Sequence, residues 1–210
     1  MKKNDRPILF SQDMVRAIID GRKTQTRRVI KDFVVYDNNK FKSLIRRCPY
    51  GQVGDRLWVR ETWARMFKNG EYCIKEDEVN PDRCPCPGCY IEYKADTGHP
   101  YPGDWDADEA KGNDDAPKWH PSIHMTRQDS RITLEITNIR VEKLQTISEE
   151  GAKKEGCISE IGEGCAFYPA KLAFEFLWNI IHSKIFPWES NPWVWVIEFK
   201  RDNTNGQAKE

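Results

Sequence analysis

The chain has 210 residues, enough for one decorated domain with a substantial core but too few for two full-sized domains. Hydrophobic residues make up 39% and charged residues 31%, a composition that excludes a disordered chain. No apolar run approaches the roughly 20 residues of a membrane span, and the first residues do not form a signal peptide. We therefore expect a cytoplasmic protein. The net charge is zero, but residues 1–60 carry 15 Lys/Arg against 6 Asp/Glu, which is compatible with a basic phosphate-binding face. A solvated face with scattered counter-charges is the alternative.

The chain opens with a predicted strand, helix and strand. Ile8–Phe10 is a short apolar run typical of a strand, and Ser11 can cap the helix that follows. This helix ends at Gly21, and four apolar residues recur at helical spacing along it: Met14, Val15, Ile18 and Ile19. Residues 21–30 are basic and rich in threonine, a composition that predicts a turn running into a strand.

Turn-rich segments dominate the middle of the chain. Residues 48–54 predict a loop, and residues 55–61 predict a partly buried strand. Residues 68–89 hold four of the seven cysteines, and residues 90–95 alternate like a strand. Residues 97–118 are acidic, rich in Gly and Pro, and without periodicity, so we expect a long loop that is either functional or disordered.

The C-terminal part alternates between predicted strands and helices. Residues 131–144 alternate over two strand lengths, and Ser148 caps a short helix that Gly156 ends. A second amphipathic helix is predicted over 171–181, and an apolar strand over 192–200 closes the chain. One face of the second helix carries three large apolar residues: Leu172, Phe176 and Ile180. Several short strands with few helices predict an α+β, mainly β fold, a small β-barrel with helices at its ends.

The segment Gly21-Arg22-Lys23-Thr24-Gln25-Thr26-Arg27-Arg28 resembles the signature of the ASCH domain, in which Gly-x-Lys is followed by a polar residue and an Arg at fixed spacing. ASCH domains belong to the PUA-like β-barrel superfamily. Residues 54–61, residues 119–127 and the closing strand add to the resemblance. Together these segments look like the ASCH proteins carried by phages and prophages.

The resemblance implies a single PUA-like (ASCH) β-barrel domain over residues 1–204, with a few short helices packed at the barrel's ends. Two segments lie outside it and are expected to be insertions: a Cys-rich one at about 68–89 and an acidic loop at about 97–116. Residues 205–210 are expected to form a tail.

One position departs from the common ASCH pattern, because Thr26 stands where many members have Glu. A subset of small bacterial ASCH proteins that also has Thr removes the acyl group from N4-acetylcytidine, with Lys, Thr and a distant Glu as catalytic residues. Lys23 and Thr26 match the first two directly, and Glu155 matches the third by its place in the short helix. The resemblance therefore implies hydrolysis of an N4-acylated cytosine or cytidine without a catalytic cofactor.

Amide hydrolysis needs a nucleophile, a base and a proton donor, and Thr26, Lys23 and Glu155 could each fill one of these roles. A β-turn starting at Lys23 would bring its Cα to within about 7 Å of that of Thr26. Glu155 near a helix C-terminus would be favoured as the protonated acid. Partial burial and three cationic neighbours would favour a neutral Lys23, the form that acts as a base, the neighbours being Arg22, Arg27 and Arg28.

The alternatives use the same residues. A non-catalytic module for RNA or a modified base would place Lys23, Arg27 and Arg28 on phosphates, and a ribonuclease would use Lys23 to stabilise a phosphorane. Each residue also has a structural interpretation, such as a solvated cation or an ordinary strand threonine. We assign the following residues to substrate or nucleic-acid binding, the aromatic ones as stacking surfaces: Gly21, Arg22, Arg27, Arg28, Tyr50, Trp58, Arg60, Trp63 and Trp119.

The cysteines predict reduced thiols or a metal site, since seven is an odd number and we expect no export. Three thiols lie within six residues on a Pro/Gly turn, with a fourth eleven residues upstream, which suits a tetrahedral structural zinc: Cys73, Cys84, Cys86 and Cys89. Free surface thiols are the alternative. His120 and His124 are four residues apart, but Pro121 disfavours the helix that would align them on one metal.

Overall fold

The computed structural model describes residues 4–31, 45–67, 89–97, 119–158, 160–161 and 167–202. No helix within these ranges is long and apolar enough to cross a membrane. The elements follow in chain order: β1 (Asp5–Leu9), α1 (Gln12–Ile19), β2 (Gln25–Val29), β3 (Arg56–Arg60), β4 (Trp63–Phe67), β5 (Cys89–Tyr93), α2 (Lys94–Thr97), β6 (Thr133–Lys143), α3 (Glu149–Lys154), β7 (Glu160–Ile161), β8 (Phe167–Tyr168), α4 (Ala170–His182) and β9 (Trp193–Arg201).

The largest sheet has five strands in the order β1-β3-β6-β9-β2. β9 pairs antiparallel with β6 on one side and with β2 on the other, where Thr26 lies opposite Ile197. Two further sheets have two strands each, β4 with β5 and β7 with β8. The fold is therefore mixed α+β with mostly sheet. Among the described residues β1 and β2 are the edges of the large sheet, so the closed barrel is not confirmed.

β6 shows why the alternation over residues 131–144 covers two strand lengths. It is a single strand of 11 residues, and its register against β9 shifts between Ile136 and Asn138. Such a bulge adds one residue and exchanges the faces on which later side chains lie. The buried apolar residues accordingly change from even to odd numbers along the strand, with Leu134 and Ile136 before the bulge and Ile139 after it.

The two C-terminal helices form where the sequence predicts them. The Ser148 Oγ accepts a hydrogen bond from the Gly151 N–H at 3.0 Å and caps α3, and Gly156 follows that helix with a φ of 93°. The predicted apolar face of α4, however, is largely exposed to solvent. A different face is buried, and it forms a core cluster with residues of α3, of β9 and of the segments that precede these two elements: Ala170, Phe174, Trp178, Leu144, Ile147, Ala152, Trp188, Val194 and Val196.

The chain divides into two compact units. The first comprises residues Met1–Arg6, Ala17–Leu57 and Thr133–Glu210, and includes β2, β6, β9, α3 and α4. The second comprises Pro7–Arg16 and Trp58–Ile132, and includes the two-stranded sheet of β4 and β5. A single domain over 1–204 stays a prediction. Nearly all of the two expected insertions, at 68–89 and 97–116, lies outside the described residues.

A buried lysine, arginine and glutamate as the candidate functional site

Lys23 lies in irregular backbone between α1 and β2. Its N–H donates to the Ala17 carbonyl at 2.8 Å, and the Thr24 N–H donates to the Lys154 carbonyl at 2.9 Å. The prediction of a β-turn starting at Lys23 is wrong, because residues 22–24 are tied to the ends of α1 and α3 and lead directly into β2. This tethering brings Lys23 to the end of α3.

Lys23, Arg27 and Glu155 form a buried cluster in the first unit. The Lys23 Nζ donates to the Glu155 Oε2 at 2.9 Å and to the Glu155 carbonyl at 2.8 Å. The Arg27 Nη1 donates to the other carboxylate oxygen, Oε1, at 2.9 Å. The three side chains are exposed to only 0%, 2% and 4%, in the order Lys23, Arg27, Glu155. We call these three residues the buried cluster; its charge-assisted hydrogen bonds are shielded from water.

The environment of Lys23 acts in the direction that a base requires. Burial lowers the pKa of Lys23, the ion pair with Glu155 opposes this effect, and the positive charge of Arg28 adds to it. Burial is thus the main cause of the lowered pKa. The guanidinium of Arg22, which the sequence led us to expect as a contributor, instead bonds the Asp20 carboxylate at 2.8 Å.

Glu155 is the C-cap of α3 rather than part of its last turn. Its N–H donates to the Gly151 carbonyl at 3.1 Å, and the same carbonyl accepts a hydrogen bond from the Gln25 side chain at 2.8 Å. Both of its carboxylate oxygens accept hydrogen bonds from cations of the buried cluster. Helix and sheet therefore fix the Glu155 carboxylate as a double acceptor, and its role as a proton donor stays a prediction.

A polar network that the sequence analysis missed extends from the buried cluster across the sheet. The Arg27 Nη2 lies 3.3 Å from the Glu142 Oε2, and Glu142 also accepts a hydrogen bond from Arg140. Arg140 in turn bonds Glu198 and reaches the Gln25 Oε1 at 3.4 Å. Gln25 also bonds the Gly151 carbonyl of α3, so the network joins the sheet to this helix. The Arg27 guanidinium is held in position by the carboxylates of Glu142 and Glu155.

Thr26 is buried, at 3% exposure, on β2. Strand alternation places its side chain on the face of Arg28, opposite to that of Arg27, the β2 residue whose side chain bonds Glu155. Arg28 is also largely buried; burial lowers its pKa, and nearby Tyr50 and Glu155 oppose the shift. Thr26 and Arg28 therefore share one face of β2, and Arg27 lies on the other.

The other residues assigned to stacking belong to the second unit. Trp58 and Trp63 are buried, at 7% and 2% exposure, so their rings pack in the protein instead of offering open stacking surfaces. The Arg60 guanidinium lies over the Trp58 ring at 4.7 Å from its centroid. Trp119 is half-buried, and the Lys94 ammonium lies 5.9 Å from its ring centroid.

The expected zinc ligands Cys73, Cys84 and Cys86 lie outside the described residues, and only the backbone of Cys89 is described, in β5. A structural zinc therefore stays a prediction. In the described part of the chain, no group of three His, Cys, Asp or Glu side chains is arranged to hold a metal ion. His120 packs on the Trp63 ring, with 4.9 Å between ring centroids.

Two clefts of about 600 Å³ each open in the first unit beside the ends of α3 and α4. One is lined by residues that flank the buried cluster in sequence, including Gly21, Arg22 and Lys154. The other runs along α4. Lys23, Thr26 and Glu155 line neither of these two clefts.

No protein-family model matches the chain, and no curated protein matches its sequence. Among solved structures, it is similar to the crystal structure of an ASCH domain from Lactobacillus crispatus JV V101, at 12% sequence identity and a TM-score of 0.39. The match covers 94% of this chain and 79% of that chain. A likeness at this level does not assign the chain to a family.

Proposed function

We propose that this protein is an ASCH-type protein acting on RNA or modified nucleosides, and that its reaction is hydrolysis of the amide of an N4-acylated cytosine. The observation that carries the proposal is the 2.9 Å contact between the Lys23 Nζ and the Glu155 Oε2. Each residue matches the ASCH amidohydrolase pattern separately, and the two are 132 positions apart in the chain. Their contact supports a shared chemical role.

The pair can hold one proton in two arrangements. As an ammonium and a carboxylate, it is a resting ion pair; transfer of the proton from Nζ to Oε2 gives a neutral amine and a carboxylic acid. Burial and Arg28 act against the ammonium, in line with the lowered pKa of Lys23. The neutral arrangement supplies both the base and the acid that amide hydrolysis needs.

In the acylation step, the Thr26 Oγ attacks the carbonyl carbon of the N4-acyl group while Lys23 accepts the hydroxyl proton. The C–N bond then breaks, Glu155 protonates the departing N4 amine, and an ester remains on Thr26. Lys23 and Glu155 are now the ammonium and the carboxylate. This step requires Thr26 to approach the pair when substrate is bound, since catalytic hydrogen bonds commonly tighten only in the complex.

In the deacylation step, the Glu155 carboxylate accepts a proton from the attacking water, and the Lys23 ammonium protonates the departing Thr26 oxygen. The carboxylic acid is released and the hydroxyl is restored. The pair returns to a neutral amine and a carboxylic acid, so one proton circulates within it and no cofactor is consumed. Arg27 holds Oε1 throughout and leaves Oε2 as the oxygen that exchanges the proton.

Thr26→Val tests the nucleophile directly. Valine keeps the β-branched shape on β2 but lacks the hydroxyl, so kcat on N4-acetylcytidine is expected to fall by orders of magnitude with little change in substrate affinity. Thr26→Ser is the matched control, because it keeps a hydroxyl and should retain turnover. Wild-type turnover that survives in Thr26→Val would exclude Thr26 as the nucleophile.

The second candidate function is a binding module for RNA or a modified base. The observation that favours it is that the Glu155 carboxylate already accepts hydrogen bonds from Lys23 and Arg27, while Thr26 lies on the opposite strand face to Arg27. Such a module would show no turnover, and Thr26→Val would weaken binding by only about 0.5–1.5 kcal/mol.

The ribonuclease alternative is tested in parallel, by incubating the protein with a short RNA and analysing the RNA for fragments.

A further inference from the structure

We propose that the outer side of α3 and α4 carries a separate binding site for a nucleobase that bears a phosphate, as a free nucleotide or as part of a single strand. The two clefts beside these helices supply the two halves of the site. The residues of the buried cluster do not line this site, although several of their chain neighbours do. The existence of the site does not depend on the proposed hydrolysis.

The first half is the basic cleft, lined by three cationic side chains, Arg22, Lys153 and Lys154. Lys153 and Lys154 are exposed in the last turn of α3, a position in which the helix dipole favours cations. The Lys154 Nζ lies 3.4 Å from the Glu150 carboxylate, a pair that is itself largely exposed and therefore weak. Glu150 also lines this cleft, and the Arg22 guanidinium bonds the Asp20 carboxylate at 2.8 Å. The cationic surplus that remains still makes a phosphate the fitting ligand for this half.

The second half is the apolar groove along α4, to which Leu172 and Phe176 contribute exposed side chains. Phe176 is 71% exposed, which is unusual for a large aromatic residue on a helix that also has a well-buried face. Glu175 and Asn179 are the polar members of the lining. A mostly apolar cleft with a few polar groups is typical of a site for a small planar ligand.

The two halves adjoin, because Cys157 and Ile158 line both the basic cleft and the apolar groove. One ligand can therefore occupy both, with a base against Phe176 and its phosphate near Lys153 and Lys154. A second copy of the chain fits less well. In a two-fold dimer the same patch would meet itself, so each apolar groove would be covered while the adjoining cations would gain no phosphate.

Binding measurements with four probes test the site: cytidine, CMP, inorganic phosphate, and a labelled ten-nucleotide single-stranded RNA. We expect CMP to bind at least ten times more tightly than cytidine or phosphate alone, and the strand to bind more tightly than CMP. In the double variant Lys153→Gln/Lys154→Gln, affinity for CMP and for the strand should fall at least ten-fold. Its salt slope for the strand should become shallower by about 1.4, since each phosphate contact on a single strand contributes about 0.7.

Phe176→Ala separates stacking from charge, because it should weaken binding of CMP and of the strand while leaving the salt slope unchanged. Lys184→Gln is the matched control: Lys184 is exposed just beyond α4 but lines neither cleft, so affinity and slope should stay at wild-type values.

Three outcomes would overturn the proposal, whatever the result of the hydrolysis assay. Binding of CMP and of the strand that survives the double variant would place the ligand elsewhere. Phosphate that binds as tightly as CMP would show an anion site without a base. A dimer in sedimentation velocity that Phe176→Ala converts to a monomer would show that a second copy occupies the apolar groove.

Discussion

The Lys23 Nζ lies 2.9 Å from the Glu155 Oε2 inside the protein, where both side chains are almost fully shielded from solvent. A buried ion pair adds little stability over an apolar pair of similar volume, because desolvation offsets the attraction. Removing one partner is costly, since it leaves a buried charge without its counter-ion. The contact is therefore better explained by the placement and protonation of the two groups than by a gain in stability.

Lys23→Arg should abolish hydrolysis of N4-acetylcytidine. Arginine keeps the positive charge beside Glu155 but has no accessible neutral form, so it cannot accept the Thr26 proton. Product formation measured by chromatography, with binding measured by calorimetry, gives the two readouts. We expect loss of turnover with binding nearly intact.

Lys184→Arg is the matched control for this substitution. Lys184 is exposed beyond the end of α4, so the same chemical change there should leave turnover at the wild-type level. Because arginine is larger than the buried lysine, Lys23→Met serves as a second variant and should also be inactive, with folding of both checked by circular dichroism. Full turnover in Lys23→Arg would eliminate Lys23 as the base.

Gly156→Ala should be more destabilising than Gly21→Ala, although both glycines have a positive φ, 93° and 75°. A Cβ on Gly156 would lie 2.9 Å from the Ala17 Cβ and 3.3 Å from the Lys23 Cβ, whereas a Cβ on Gly21 would meet no atom within 4 Å. Gly21→Ala therefore incurs only backbone strain, about 1 kcal/mol. Gly156→Ala adds overpacking, for a total of about 2–4 kcal/mol.

Urea unfolding of both glycine variants checks this difference. Because the clash at Gly156 involves Lys23, we also expect Gly156→Ala to lower turnover more than Gly21→Ala does. Equal loss of stability in the two variants would mean that the neighbours of Gly156 move apart at little cost.

Local chemistry in the sequence was sufficient to predict the elements that hold the site. Ser148 caps α3 through its own side chain, and the positive φ of Gly21 and Gly156 follows from what glycine alone tolerates at helix ends. These are interactions between near neighbours in the chain. The place of Glu155 at the end of a short helix could be predicted for the same reason.

The contacts of Arg27 and the choice of the buried face of α4 depend on pairing between residues far apart in the chain. No local sequence pattern predicts such pairing. Arg140 and Glu142 share a strand face two residues apart, but their contact with Arg27 depends on how β2, β6 and β9 align. Periodicity identified the apolar face with Phe176 in α4, but it could not show that the face with Phe174 is the buried one. Both faces of this helix are apolar, so packing against the sheet decides which is covered.

Metal analysis of protein purified without chelator should find about one zinc per chain. The prediction rests on the sequence, in which Cys73, Cys84, Cys86 and Cys89 supply four thiols for a tetrahedral ion. Cys86→Ser/Cys89→Ser should lose the metal and melt at a lower temperature, because metal binding contributes to folding. Cys48→Ser removes a cysteine outside this set and should keep the zinc. A metal-free protein of equal stability would contradict the prediction.

Arg131→Met should destabilise the second unit strongly, by about 3–5 kcal/mol at pH 7. The Arg131 guanidinium donates two hydrogen bonds of 3.0 Å to Glu61, whose side chain is only 2% exposed, and two more to Asp96. Burial raises the pKa of Glu61, and Arg131 opposes that shift. Loss of Arg131 therefore leaves a buried carboxylate without its cation.

The pH dependence of this loss distinguishes a buried charge from simple loss of packing. Because burial raises the folded pKa of Glu61, the stability that Glu61 contributes is fully present below its ordinary pKa and is lost as pH rises through the folded pKa. Without Arg131 the folded pKa of Glu61 rises further, so the stability that Arg131→Met loses relative to the wild type should grow from pH 5 to pH 7, by at most about 1.4 kcal/mol per pH unit.

The double variant Arg131→Met/Glu61→Gln is the control. It should recover part of the stability at pH 7, and its stability should depend less on pH. Urea unfolding of the variants at pH 5 and pH 7 measures the loss in the free energy of unfolding relative to the wild type. A loss that does not change with pH would show that Arg131 acts through packing alone.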